Sequence, residues 1–318
     1  MEKLIELQDI KKYFVVPNGL LHAVDGINLS IEKGETLGIV GESGCGKSTL
    51  GRVMLRLHEP TSGHILYDGM DITTFRKDEM VRMRRYMQII FQDPYACLDA
   101  RMSVVDIIAE YMFIHHVYKS RAETYNRAAQ LMDQVGLARR YANAYPHELD
   151  GGRRQRIGIA RALSLGPKMI VCDEPVSALD VSIQAQILNL LMDLQDELGL
   201  AYMFVTHDLS VVKHISNNIM VMYLGRCVEL CSADELFANP LHPYTDALLA
   251  AIPKPDISLR GKEQKLIKGE VTSPINVKPG CRFASRCPFC TEKCTNTDPE
   301  FVEVTPGHYV SCFKVNDK

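Results

Sequence analysis

Gly41-Glu42-Ser43-Gly44-Cys45-Gly46-Lys47-Ser48, followed by Thr49, fits the pattern G-x-x-x-x-G-K-[ST]. Glycines at these intervals let a backbone turn so that its N–H groups face an anion. A helix opening at the end of the loop adds the positive end of its dipole. The chemistry is nucleotide phosphate binding, with Lys47 expected on the β- and γ-phosphates and Ser48 on Mg2+. Farther along, Met169-Ile170-Val171-Cys172 is an apolar run that ends in Asp173 and Glu174. Asp173 suits a magnesium ion held through its water shell, and Glu174 suits orienting or deprotonating an attacking water. Such a strand end is a weak signal alone and a strong one after a phosphate loop.

The third group is sulfur. Of ten cysteines, five (Cys281, Cys287, Cys290, Cys294 and Cys312) fall in the last forty or so residues. In a cytosolic chain this clustering reads as metal binding before disulfides. Cys287-x-x-Cys290 can begin a zinc site, with His242 and His308 as further donors. Four thiolates suit an iron–sulfur cluster equally well, and spacing does not separate the two. Cys45, Cys97, Cys172, Cys227 and Cys231 read as packing residues.

These groups need elements to hold them. Residues 4–16 and 22–31 are partly alternating and β-branched, and read as strands joined by the Pro17-Asn18-Gly19 turn. Residues 36–40, 63–67, 87–91, 168–172, 201–205, 219–223 and 226–229 read as further strands, the first leading into the phosphate loop and a helix over 48–57. Residues 103–165 carry helical periodicity, and Ile183, Ile187, Leu190, Leu191, Leu194 and Leu198 set a helix over 182–198. Alternating strands and helices predict an α/β core with a largely parallel sheet, interrupted by a helical insertion. Residues 253–280, proline-bearing and charged without a period, read as a linker or extended arm. The cysteine-rich segment 280–318 follows.

Composition narrows the function classes. The chain has 318 residues, enough for one large domain with an appendage or for two domains. Lys plus Arg is 36 and Asp plus Glu is 39, a net charge of −3, which gives no bulk basicity to argue for nucleic-acid binding. No apolar run reaches the ~18–20 residues of a membrane span. Met1-Glu2-Lys3 leads into alternating sequence without a signal-peptide core, and the expectation is a soluble, cytosolic chain.

Between the phosphate loop and Glu174 stands Leu149-Asp150-Gly151-Gly152-Arg153, which resembles the LSGGQ signature of ATP-binding-cassette (ABC) ATPases. Gln92 in Phe91-Gln92-Asp93-Pro94 resembles the Q-loop, Ser177-Ala178-Leu179-Asp180 the D-loop, and His207 in Thr206-His207-Asp208 the switch histidine. Tyr13 sits where the family stacks an aromatic ring on adenine, with Phe14 as the alternative. The resemblance covers roughly residues 4–250. It implies an α/β fold: a P-loop NTPase (ABC ATPase) core with an antiparallel β subdomain, a helical insertion subdomain at about 103–165, and a Cys-rich C-terminal extension. The nucleotide-binding domain would span 1–253 and the extension 254–318. ATP and Mg2+ are the implied cofactors, with Gly41, Ser43, Gly44, Cys45, Gly46, Lys47, Ser48, Thr49, Asp173, Asp150, Gly151 and Gly152 around the nucleotide. Glu174, His207 and Gln92 would be catalytic, and Ser48 and Gln92 would ligate magnesium.

The tail narrows the resemblance. Asn239-Pro240-Leu241-His242-Pro243-Tyr244-Thr245, then Gly280-Cys281-Arg282-Phe283 and Arg286-Cys287-Pro288, look like the C-terminal extension of oligopeptide/dipeptide importer ATPases, within them the dipeptide F-type subunit. That implies an ATPase working as half of a dimer, a heterodimer being expected, docked on two transmembrane permeases and served by an extracytoplasmic solute-binding protein. The place would be the cytoplasmic face of the cell membrane, with peptides as cargo, or nickel chelates or oligosaccharides. The competing class is a non-transport ABC ATPase. The extension of this group carries a 4Fe–4S cluster on cysteines matching Cys281, Cys287, Cys294 and Cys312, which leaves Cys290 over.

One position departs from the pattern. The family's signature serine, which contacts the partner's γ-phosphate, is Asp150 here. Asp and Ser both cap helices, but a carboxylate about 4 Å from a phosphate oxygen is repelled by ~1 kcal/mol in water and ~4 kcal/mol at an effective dielectric of ~20. The expectation is one competent and one slow ATP site. The alternative is that Asp150 turns away or pairs with Arg153 or Arg154.

Overall fold

The computed structural model describes residues 2–252 and 273–316. Most of the expected linker, 253–272, lies outside the described residues. The chain divides into two compact units that interleave in sequence. One is built mainly from Thr74–Val205, and the other from Ile5–Ser30, Thr36–Thr73 and Thr206 onward. In this division the described cysteine-rich residues are grouped with the phosphate loop.

In the first unit Met87–Ile90, Met169–Asp173 and Ala201–Val205 are parallel strands, in register from Met87 opposite Met169 to Asp173 opposite Val205. Met169–Asp173 and Ala201–Val205 are buried along their whole length, which explains their unbroken apolar character. The residue just past a parallel strand's C-terminal end emerges where ligands bind in such sheets, which is where Glu174 stands. The region 103–165 holds three helices, Val104–Ile114, Arg121–Gln134 and Gly151–Leu163. Each starts on a polar cap: Ser103, Ser120 with Glu123 in a capping box, and Asp150. They bury Ile107, Ile108, Met112, Leu131, Met132, Ile157 and Ile159, each such side chain contributing roughly 1.5–3 kcal/mol. Helix Val181–Leu198 ends at Gly199, whose φ of 63° is the left-handed cap the sequence places there.

The second unit contains the antiparallel sheet, in the order Gly19–Glu32, Lys3–Val16, Ser62–Tyr67, Met70–Asp71. It also contains Thr36–Val40 paired in parallel with Asn218–Tyr223, which pairs antiparallel with Arg226–Ser232. The cysteine-rich tail extends this sheet: His308–Val310 pairs with Arg226–Ser232, and Val302–Thr305 with His308–Val310. Neither strand is legible as a period, since Val302–Thr305 is largely exposed and His308–Val310 spans three residues. The returning chain also ties to the first sheet, with His22 N–H donating to Pro274 O at 2.9 Å and the Asn276 side chain bonded to the backbone of Leu20 and Asn18. The helix after the phosphate loop is shorter than its sequence suggests, Lys47–Met54. Arg56 closes it at φ 48°, its guanidinium held by Glu59 and Ile72 O. No helix among the described residues is long and apolar enough to cross a membrane.

Candidate functional site

In the second unit the phosphate loop has the backbone its glycines permit. Gly41 stands at φ 153° and Gly46 at φ 105°. A Cβ on Gly41 would lie 2.2 Å from Met222 O and one on Gly46 2.0 Å from Ala23 O, so neither position accepts a side chain. Gly46 caps the helix that carries Lys47, Ser48 and Thr49. Lys47 is buried, and its ammonium donates to Gly41 O at 2.8 Å and Glu42 O at 3.0 Å. Cys45 is a packing residue, and burial pushes its thiol pKa up.

Tyr13 and Phe14 are adjacent on one strand and so face opposite sides. The Tyr13 ring lies against His22, with centroids 4.1 Å apart, and its hydroxyl donates to Asp25. Burial raises the Tyr13 pKa, and the Asp25 bond raises it further. Burial would also raise the Asp25 carboxyl, but the Tyr13 hydroxyl and the Arg282 and Arg226 guanidinium groups hold it below the usual range. Phe14 meets the edge of His58 at 5.6 Å and is half-buried. His207 is exposed on the turn ahead of helix Leu209–Ile215, and Asp208 caps that helix by accepting from Ser210 N–H at 2.8 Å.

The first unit brings Gln92 and Glu174 together. The Gln92 amide donates to Glu174 Oε2 at 3.0 Å. Asp173 is 2% exposed at the strand end. Glu174 follows at φ 47°, a left-handed geometry uncommon outside glycine, with its N–H on Val205 O at 2.9 Å. Strain of this kind clusters at functional positions. Ser177 bonds back to Glu174 O, shaping the D-loop turn, and Asp180 lies exposed at the start of Val181–Leu198.

Asp150 caps helix Gly151–Leu163 by accepting from Arg153 N–H at 2.8 Å, and its second oxygen takes the Arg153 guanidinium. The arginine also lies 5.0 Å from the Tyr141 ring centroid. The signature carboxylate thus has an internal counterion, which is the pairing alternative. Gly152 packs so closely that a Cβ would lie 2.8 Å from Ile183 Cγ2.

In the tail, Cys281, Cys287, Cys294 and Cys312 line one cavity together with Phe283, Phe289 and Phe313. Cys290 is exposed and absent from that lining, its thiol on Thr291 O at 3.6 Å. Burial pushes the Cys281 thiol up to about 11. Among the described residues no group of three or more His, Cys, Asp or Glu side chains is arranged to hold a metal ion. The two histidines weighed as donors have other work. His308 is buried, with Nε2 2.8 Å from Glu229, and His242 accepts at Nδ1 from Tyr244 N–H at 3.1 Å.

Sequence reasoning missed this polar wiring. Glu229 is fully buried and also accepts from Leu241 N–H and His242 N–H at 2.7 and 3.0 Å. Arg282 reaches Asp25 and Leu224 O, and Arg286 reaches Glu42. The available signal was the pair of arginines four residues apart among the cysteines.

Residues 24–177 match the ABC transporter family, and residues 228–294 match the oligopeptide/dipeptide transporter C-terminal region. The chain is 50% identical over 322 residues to the oligopeptide transport ATP-binding protein AppF of Bacillus subtilis, covering 98% of this chain and 97% of the relative. It is 51% identical over 312 residues to OppF of Escherichia coli, an oligopeptide transport ATP-binding protein, covering 98% and 93%. Among solved structures it is similar to the dimeric post-hydrolysis state of the ATP-binding cassette MJ0796 bound to ADP and Pi. There the TM-score is 0.66 at 29% identity, covering 72% of this chain and 98% of that one. With both family regions present and half of all positions identical across nearly the full length, the chain belongs to the ATP-binding subunits of ABC transporters, of the oligopeptide/dipeptide type.

Proposed function

We propose that this chain hydrolyses ATP to energise import of di- and oligopeptides. The observation that carries the reading is near-full-length identity with oligopeptide transport ATP-binding proteins, tail included. Gln92 on the Glu174 carboxylate supports the assignment of Glu174 to the attacking water and of Gln92 to magnesium and to coupling with the permeases. Lys47 exchanges its contacts to the loop carbonyls for the β- and γ-phosphates, with Ser48 and Asp173 on the magnesium side. His207 acts at the γ-phosphate, and Asp150, Gly151 and Gly152 face the nucleotide of a second ATPase subunit in a heterodimer. Adenine stacks on Phe14, because the Tyr13 ring already lies against His22 and its hydroxyl is held by Asp25. The partners are two permeases and an extracytoplasmic solute-binding protein, and the place is the cytoplasmic face of the membrane.

Cys281, Cys287, Cys294 and Cys312 would hold a 4Fe–4S cluster. Their shared cavity and the outward position of Cys290 support that ligand set. Four thiolates fit iron, and the group would cross-link the tail as a structural or regulatory element. Iron with acid-labile sulfide in anaerobically purified protein is the expected result, and zinc without iron overturns it.

Gentle co-purification from native membranes tests the transport role. Two permeases, a second ATPase and a solute-binding protein that retains peptide are expected. A chain recovered with none of them, from cells that express such permeases, overturns it. Glu174→Gln in the assembled transporter is expected to keep nucleotide binding and lower ATP turnover by at least ~100-fold, read as phosphate release.

A further inference from the structure

An arginine of the cysteine segment ends on the phosphate loop of the same unit. Arg286 makes a forked pair with Glu42, Nη1 to Oε2 at 2.7 Å and Nη2 to Oε1 at 3.0 Å. The Arg286 side chain is 5% exposed and that of Glu42 25% exposed. This two-point geometry between charged groups is among the stronger hydrogen-bond arrangements, and it fixes orientation as well as distance. Glu42 is the second residue of the phosphate loop, and its other polar groups are also taken. Its N–H donates to the Tyr244 hydroxyl at 2.9 Å, and its carbonyl accepts from the Lys47 ammonium at 3.0 Å. The loop is therefore held on its outer side by Arg286 and Tyr244, and on its inner side by the lysine meant for phosphate.

Arg286 belongs to the cysteine segment, and Tyr244 packs against its Phe283. Arg286 ends the tight turn Ala284–Arg286, which lies between Cys281 and Cys287. That turn is set by Ala284 N–H on Cys281 O and Arg286 N–H on Phe283 O, and Cys281 N–H is tied to Cys294 O at 2.7 Å. Phe283, 2% exposed, packs at 5.3 Å against both Tyr223 and Tyr244, and Tyr223 Oη also accepts from Arg286 at 3.2 Å. The cysteine turn thus contacts or carries both groups that grip Glu42.

We propose that Arg286 is a positioning residue for the phosphate loop, and that through its pair with Glu42 the folded state of the cysteine segment sets nucleotide affinity. The inference rests on reading Gly41–Ser48 as the nucleotide phosphate loop. It assigns the tail a role in ATP binding that a purely architectural appendage lacks.

The test is titration of the purified full chain with a fluorescent ATP analogue, for wild type, Arg286→Ala, Glu42→Gln and the double variant. Each single change is expected to weaken binding about tenfold, and the double variant no more than either single, because both remove one shared contact. Arg286→Lys is expected to fall between, having the charge without the fork. In the assembled transporter Arg286→Ala raises the KM for ATP and leaves kcat within about twofold. An arginine that only stabilises the fold would lower the melting temperature and leave affinity unchanged. Wild-type affinity in the single variants, or losses that multiply to about a hundredfold in the double, overturns the proposal. If Arg286→Ala does not fold, Glu42→Gln decides alone, and full affinity there overturns it. A wild-type chain that binds no nucleotide, matched by Lys47→Ala, overturns the phosphate-loop reading instead.

Discussion

At the scale of single residues, the adenine ring has two neighbouring candidates that differ in what already surrounds them. Tyr13 has one ring face against His22 and its hydroxyl on a carboxylate that Arg282 and Arg226 also approach. Phe14 has an edge contact to His58 and a cation–π approach from Lys12 at 4.9 Å as its ring interactions among the described residues. Base–aromatic stacking contributes ~1–3 kcal/mol. Phe14→Ala is therefore expected to raise the KM for ATP about tenfold, while Tyr13→Phe leaves KM near wild type and lowers the melting temperature by removing the Asp25 donor. ATP-dependence of turnover and a thermal melt separate the two. The phosphate loop itself was legible because its geometry is local, with Gly41 and Gly46 each facing a carbonyl that excludes a side chain. The choice between Tyr13 and Phe14 was not, because alternation puts them on opposite faces without saying which face meets a base. Arg286 was invisible as a partner of Glu42, since 244 positions separate them and either residue can pair with many others.

At the scale of elements, the signature helix shows a substitution absorbed by its own first turn. Asp150 keeps the cap that a serine would provide, and Arg153, one turn on, places a guanidinium on the extra charge. Both side chains are substantially exposed, so the pair is a modest one in energy. Its effect is on the local field: the helix N-terminus regains the positive character that favours an anion. Asp150→Ser is accordingly expected to change ATP turnover by less than about threefold, and Arg153→Ala, which uncovers the carboxylate, to lower it more. Phosphate-release rates of the assembled transporter decide. The reverse order would restore the unequal-site expectation drawn from Asp150 alone. The helices of 103–165 and the buried parallel strands were readable from period and composition. The two tail strands were not, because His308–Val310 is held by pairing with Arg226–Ser232 and Val302–Thr305 by pairing with His308–Val310, rather than by an apolar face.

At the scale of the whole molecule, the tail's attachment carries a pH signature with two opposing limbs. Fully buried Glu229 joins strand Arg226–Ser232, the Leu241–His242 backbone and strand His308–Val310. Its bond to His308 raises that imidazole's pKa against the effect of burial, with Glu235 helping through Nδ1 at 3.5 Å. A raised histidine contributes stability that is complete below its unfolded pKa near ~6.5 and fades as pH climbs through the folded value. His242 behaves oppositely. Burial lowers it to about 4, opposed by Glu229, and its neutral Nδ1 must accept the Tyr244 N–H that opens helix Pro243–Ala250. Its contribution is complete above ~6.5 and is lost as pH falls toward 4, a loss on the order of 3 kcal/mol. Thermal stability should therefore peak near pH ~6.5 and decline on both sides. His308→Gln is expected to flatten the alkaline limb at the cost of a lower maximum, since Glu229 keeps a hydrogen-bond donor but loses the cation. His242→Asn, which preserves an acceptor for the Tyr244 N–H, is expected to flatten the acid limb. Melting temperatures across pH 4.5–8.5 read both limbs. A single limb left unchanged by its own variant would place the titrating group outside the Glu229 junction.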